Sequence, residues 1–410
     1  METKVAIGYT DRDDAFISGR KLAEKVMTGA TIERPDLAFA FCTPNLDNQE
    51  FLKGLQSKIG AETPVVGGSA IGIITNDYLS YEGPNAALAL FQSDSIRFRI
   101  TTATALDQGE EAAGRILGQA LGDESQARIL LVFYDSVRVP PTDTAPPVLN
   151  ASMPLLAGIE TSFGADIPIV GAGLLRDYHF SPPRQFCGSR MENQSVTGVL
   201  FSGGLAAYHC IMHGCRPIDG IYHTITKIEG SILYELDGKS VVKMIDDLFG
   251  SNEWQTERPL SHLTIGVNYG DKYAEPEEGK YVNRLISGVA PHGEGVCLFE
   301  PDLEQGMEIQ FMLRDTERML ASAKENSAEL MRQVQKDRKN TLLGIYIDCA
   351  GRAGGYLNTP YEEASEGQKV FQSHGVPLLG FYSGVEICPL MHKSRGLDWT
   401  GVLIIFAEDP

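Results

Sequence analysis

Short apolar runs bounded by turn residues recur along the chain. LAFAFC (37–42), RILLVFY (128–134) and TLLGIYI (341–347) are each followed by a Pro-led run: TPVVGGSA (63–70), IPIVGAGL (167–174) and VPLLGFYS (376–383). Each Pro-led run reads Pro, two aliphatics, Gly, then small or aromatic residues. A third apolar run closes each copy: NAALALF (85–91), SVTGVLF (195–201) and DWTGVLII (398–405). Continuous apolar runs of this length suit strands buried on both faces.

Between the first two runs of a copy the period changes to that of a helix. NQEFLKGLQSKIG (48–60) places Phe51, Leu55 and Ile59 at every fourth position. TPYEEASEGQKVFQSHG (359–375) offers Thr359 as a cap and Gly375 as a stop. The middle copy carries the Pro-rich SVRVPPTDTAPPV (136–148), which excludes a helix interior, before a weaker helical pattern near 149–163. Outside the copies, 202–300 reads as short strands divided by Gly, Asp and Pro. Residues 315–338 read as the longest helix, capped by Asp315, with apolar Met319, Leu320, Ala323, Leu330, Met331 and Val334. These patterns predict an α/β (α+β) fold: two domains with mixed β-sheets flanked by helices, partly built by internal duplication. The boundary falls near 205–220, giving domains 1–205 and 206–410.

Composition narrows the function. The chain has 410 residues and a net charge of −19, a field that repels phosphate backbones and argues against nucleic-acid partners. The densest basic run, RQVQKDRKN (332–340), reads as a solvated helix face. No window approaches the roughly 20 apolar residues of a membrane helix, and METKVAIGYTDRDDAF lacks the basic start and apolar core of a signal peptide. Membrane insertion is therefore not expected. Seven scattered cysteines without a CxxC spacing fit reduced thiols in a cytoplasm.

The Pro-x-x-Gly turns, GCRPIDGIYHTITKIEGSILYELDGKS (214–240), YVNRLISGVAPHGEGVCLFEPDLEQGMEIQFMLRD (281–315), DCAGRAG (348–354) and PLLGFYSGVEICP (377–389) resemble FIST proteins. The resemblance implies a FIST N-terminal-like domain over 1–205 and a FIST C-terminal-like domain over 206–410. It also implies a sensory role in signal transduction through small ligands such as amino acids. Its most specific marks are Cys349, Gly351 and Arg352, and the run Gly-Phe-Tyr-Ser-x-x-Glu at 380–386. The chain departs from the family pattern at Val385, where a Gly is usual, and at Asp398-Trp399-Thr400, where His-x-Thr is usual.

Candidate ligand groups follow. Gly67, Gly68 and Ser69 could offer backbone N–H groups to a carboxylate or phosphate, or simply form a turn where another strand crowds the backbone. Arg352 could clamp a carboxylate through a two-pronged hydrogen bond, with Cys349 beside it as a low-pKa thiol, or else tether its loop to Asp348 or Glu386. Tyr382, Ser383 and Glu386 come from the third turn, and Glu386 could hold an amino group opposite Arg352. HCIMHGC (209–215) puts His209, His213 and Cys215 on one short strand, too crowded for three ligands to one ion, so no metal is expected. A P-loop is excluded by Leu233 and a GxGxxG by Arg176; no HExxH, GxSxG or kinase set is present. The expectation is a non-catalytic sensor without cofactor. It would recognise a small polar metabolite such as an amino acid and signal through a separate protein or a homo-oligomer interface. A ligand-free interaction scaffold and an enzyme using Cys349 are the competing readings.

Overall fold

The computed structural model describes residues 3–122, 126–142, 147–164 and 167–410; residues 143–146 of the Pro-rich run and the first two residues of the N-terminal run lie outside the described residues. The first repeat comprises β1 (Lys4–Thr10), α1 (Ala15–Gly29), β2 (Leu37–Cys42), α2 (Asn48–Ile59), β3 (Val65–Ser69), a hairpin of β4 (Ile73–Thr75) and β5 (Leu79–Ser80), and β6 (Ala86–Gln92). The second comprises β7 (Ile96–Thr104), α3 (Glu110–Leu121), β8 (Ala127–Asp135), α4 (Ser152–Phe163), β9 (Ile169–Leu174), a hairpin of β10 (Gln185–Gly188) and β11 (Arg190–Glu192), and β12 (Ser195–Gly203). The third comprises β13 (Leu205–Met212), α5 (Thr316–Lys336), β14 (Asn340–Cys349), α6 (Ala364–His374), β15 (Leu378–Ser383), a hairpin of β16 (Val385–Leu390) and β17 (Lys393–Leu397), and β18 (Gly401–Glu408).

Each repeat builds a sheet of its own four long strands and then borrows a hairpin. The strand orders are β1-β6-β2-β3-β10-β11, β7-β12-β8-β9-β16-β17 and β13-β18-β14-β15-β4-β5. The second and third strands of a repeat pair in parallel, and their neighbours are antiparallel. The first repeat thus lends its hairpin to the third, the second to the first, and the third to the second. The ring of loans closes. The mixed sheets and the duplication agree with expectation, but the unit is larger than the sequence pattern gave. The leading strand and helix of the first two repeats and the exchanged hairpins lie outside that pattern, and the long helix 315–338 proves to be the leading helix of the third repeat.

The recurring Pro-x-x-Gly has a packing cause. In each repeat the carbonyl of the Pro (Pro64, Pro168, Pro377) accepts a hydrogen bond from the neighbouring strand, at 2.9, 2.9 and 2.8 Å. Two ladder positions on, a Cβ at Gly67, Gly171 or Gly380 would lie 2.2, 1.8 or 2.7 Å from the carbonyl oxygen of Ala40, Val132 or Tyr346. The strand leaves no room for any side chain there.

The three sheets turn their inner faces to one shared core. Phe91, Phe201 and Phe406 occupy the same position in β6, β12 and β18, and their ring centroids form a triangle of 6.4, 6.3 and 5.0 Å. A second triangle joins Phe41, Phe133 and Phe381 at 5.7, 6.0 and 3.9 Å. Each helix pair covers the outer face of its own sheet.

The strand-rich stretch is an insertion, 213–315, between β13 and α5. It forms a separate antiparallel sheet with its own core, covered by the helix Val241–Phe249. The long helix is as expected, with Asp315 accepting from the Arg318 amide at 3.0 Å. By contrast α6 begins at Ala364, not at Thr359, whose amide is instead held in a turn by Gly354 O at 2.9 Å. No described helix is long and apolar enough to cross a membrane.

Substituting Gly171→Ala should cost about 3 kcal/mol or more, because the backbone (φ +154°) is strained for a side chain and the Cβ overlaps Val132 O. Gly29→Ala, with open space around it, should change stability by less than about 1 kcal/mol. Urea unfolding of the two variants checks the contrast; equal effects would contradict the packing account.

Candidate functional site

Strand ends of two repeats and one edge of the insertion surround a cleft of about 990 Å³. Its floor is formed where β14 and β15 stop, at Cys349–Gly351 and Ser383–Gly384, and where β8 and β9 give way to Ser136 and Leu175. The insertion supplies the roof, from Leu285–Pro291, Cys297–Phe299 and Arg258. Ligands commonly collect outside the carboxyl ends of such strands.

Buried hydrogen bonds made by acidic and basic side chains fix the roof. Glu300 accepts from Ser152 N at 2.9 Å, Ser152 Oγ at 2.6 Å and Met153 N at 3.2 Å, a carboxylate at the start of α4. Arg284 donates to Asp302 through Nε at 2.7 Å and to Gly396 O at 3.0 Å. Asp398 accepts from Leu285 N at 2.8 Å, which holds the lining strand segment against the residue next to Trp399. The other carboxyl oxygen of Asp398 is buried without a partner, and burial pushes the group up to about 7.

Trp399 forms one wall. Its backbone is left-handed (φ +52°), and its ring lies so close to Gly351 that a Cβ there would fall 2.0 Å from the indole. Behind the ring, the Arg314 guanidinium sits 3.6 Å from its centroid, a cation–π contact. Arg314 is buried and has no carboxylate partner among the described residues; burial lowers its pKa to about 10. Tyr178 and Tyr356 stack at 5.0 Å on another wall, and the Tyr178 hydroxyl donates to Ala350 O at 2.9 Å.

The expected site residues separate. Cys349 and Ser383 line the cleft. Glu386 lies behind Ser383, whose hydroxyl is 2.8 Å from Glu386 Oε1; its second oxygen is buried without a partner, and burial pushes its pKa up. Arg352 does not offer its fork to a ligand. Nε and Nη2 form a two-pronged pair with Glu363 at 2.7 and 2.6 Å, and Nη1 donates to His213 O and Trp399 O. Asp348 is a second buried carboxyl, 3.3 Å away. The tether is therefore to Glu363 and Asp348, and the carboxylate clamp expected of Arg352 is already filled from within the chain.

Tyr382 is likewise turned from the cleft and bonds its hydroxyl to Glu362. Gly67 and Gly68 meet Ala40 O and Arg184 O, while the Ser69 hydroxyl accepts from Arg184 N and Asn48. Those three residues join β3 to the borrowed β10, and none lines the cleft. The low-pKa thiol expected of Cys349 is also corrected: burial first, then Glu386, pushes it well above the ordinary thiol range. In HCIMHGC, His213 accepts from Cys215 N and contacts Glu278 O; among the described residues no metal-holding cluster of His, Cys, Asp or Glu occurs.

Trp399, Arg258, Tyr178 and the 285–291 segment were not selected from sequence. The one available signal was Asp398-Trp399-Thr400, a departure from the family pattern in the place where the wall is built.

Comparison with known proteins gives the following. Residues 36–239 match the FIST N domain and residues 242–389 the FIST C domain. An uncharacterised protein of Mycobacterium bovis is 23% identical over 227 residues, covering 55% of this chain and 57% of that protein. One from Methanocaldococcus jannaschii is 28% identical over 200 residues, covering 45% of this chain and 36% of that protein. The chain thus spans less than two thirds of the curated relatives it matches. Among solved structures, a cyanuric acid hydrolase from A. caulinodans aligns over 100% of both chains at 11% identity and TM-score 0.34. A chorismatase aligns over 99% of both at 9% identity and TM-score 0.34.

Two outcomes follow. Arg352→Met should destabilise the fold by about 3–5 kcal/mol in chemical denaturation, since it leaves Glu363 and Asp348 buried without their cation. Asp398 binds its proton more tightly folded than unfolded, so its contribution is complete below about pH 4 and is lost as pH rises through about 7. Asp398→Asn, which keeps an acceptor for Leu285 N, should flatten the fall in melting temperature between those values; an unchanged slope would refute the assignment.

Proposed function

This chain belongs to the FIST family, and from that premise we propose that it is a small-ligand-binding sensory protein of signal transduction whose ligand occupies the cleft beneath the insertion. The observation that carries the proposal is the cleft's construction. Strand ends from two repeats and a roof from a third unit meet around about 990 Å³, the size and setting in which proteins hold small molecules. A ligand there touches the insertion and the repeats together, so occupancy changes the free energy of their relative arrangement. Sensing requires that kind of differential contact.

Recognition without turnover is the reading favoured for this site. The Cys349 thiol is held well above the range in which a nucleophilic thiolate forms at neutral pH. The pairing of Arg352 with Glu386 around an amino acid is set aside, because Arg352 is already spent on Glu363. A cytoplasmic location and a separate signalling partner, reached through the exposed face of α5 or a homo-oligomer interface, complete the proposal.

A thermal-shift screen against a metabolite panel tests it. A true ligand at a hundredfold excess over Kd should stabilise by about 2.7 kcal/mol. Ser287→Trp, which fills the cleft from its roof, should abolish that stabilisation and leave the unliganded melting temperature nearly unchanged. No shift from any metabolite, with a stable protein partner recovered instead, would favour the scaffold reading.

A further inference from the structure

The charge of the cleft is the feature the sensory reading leaves unused. In a chain of net charge −19, Arg258 is the one charged residue among those lining the cleft, and no carboxylate lines it among the described residues. Arg258 is anchored by Nη1, which donates to Gln255 O at 2.8 Å and Glu257 O at 2.7 Å. Its Nε and Nη2 carry no hydrogen bond or ion pair among the described residues. Those two N–H groups form one edge of the guanidinium, the edge that matches two carboxylate oxygens.

The remaining lining is apolar and aromatic. Trp399 is fully buried behind that lining, packed between Gly351 and the Arg314 cation, and stiffens the wall without offering a face to a ligand. The Tyr178–Tyr356 stack stands on another wall. A flat ligand body can lie against the exposed tyrosine pair. An ammonium group has no counterpart here: Glu386 sits behind Ser383 and does not line the cleft.

We propose that the cleft takes a monoanionic aromatic acid lacking an ammonium group, its carboxylate paired with Arg258 Nε and Nη2 and its ring against the exposed Tyr178–Tyr356 pair. This deepens the ligand-binding reading above and rests on it. It replaces the zwitterionic amino acid with a simple acid, because one cation without a facing anion balances one negative charge and no positive one.

Calorimetric titration of the full chain with 4-hydroxyphenylacetate, its neutral amide and tyramine tests the class at millimolar probe concentrations. The acid should bind about tenfold more tightly than the amide, and tyramine most weakly. Arg258→Gln should weaken the acid about tenfold and leave the amide unchanged, bringing the two together. Arg258 is exposed and makes no ion pair, so this variant should keep the parent melting temperature. Equal binding of acid and amide, or preference for tyramine, would overturn the acid class while leaving the cleft a ligand site. If these probes fail but another metabolite stabilises the protein and Ser287→Trp abolishes that effect, the acid class falls and the sensory reading stands. If neither probes nor panel bind, both fall.

Discussion

Three phenylalanines, Phe91, Phe201 and Phe406, meet where three equivalent strands converge, and the remaining architecture follows from keeping them together. A four-stranded mixed sheet with one helical layer still has an apolar inner face and an unpaired edge. The inner faces are satisfied by one another. The edges are satisfied by the exchanged hairpins, each repeat completing the sheet of another. Covering an edge in this way removes a pairing hazard, and closing the ring lets no repeat bury its core alone. Burial of large aromatic surfaces supplies much of the driving force.

Threefold construction makes three comparable junctions at strand ends, yet they differ in what fills them. Three residues beyond the carbonyl that faces each invariant-position glycine stand Thr43, Asp135 and Cys349. The Thr43 hydroxyl donates to Gly83 O at 2.7 Å, and Asp135 accepts from the Gln194 amide, so both side chains are engaged within the chain. Burial nevertheless pushes Asp135 up to about 8. Cys349 instead lines the cleft, beside Gly351 and under a roof that only the third repeat possesses. The insertion after β13 breaks the symmetry. Asp398, Arg284 and Glu300 tie that insertion down over the strand ends of the second and third repeats.

The apolar strands, the duplication and the long helix were legible because burial on both faces leaves continuous aliphatic runs and a solvated helix leaves a 3.6-residue period. The recurring glycine was legible as a position and not as a cause, since the carbonyl that forbids a Cβ belongs to the neighbouring strand. Hairpin exchange left no local signal, because β4, β5, β10 and β11 are two to four residues long and pair far away in sequence. Arg352 looked like a ligand clamp because Glu363, eleven residues on, reads as an ordinary helix-start acid; only folding shows the two buried together. Cleft walls were missed for the same reason: Trp399, Tyr178 and Arg258 come from three distant segments that nothing local connects.

The proposed ligand site is the third-repeat junction beneath the insertion, and not the Gly-Gly-Ser turn of the first repeat. Hydrogen exchange of the full chain with and without a stabilising small molecule measures this directly. Exchange should slow in 285–291, 296–299 and 349–352, with 63–70 unchanged. Protection concentrated at 63–70, with the segments around the cleft unaffected, would contradict it.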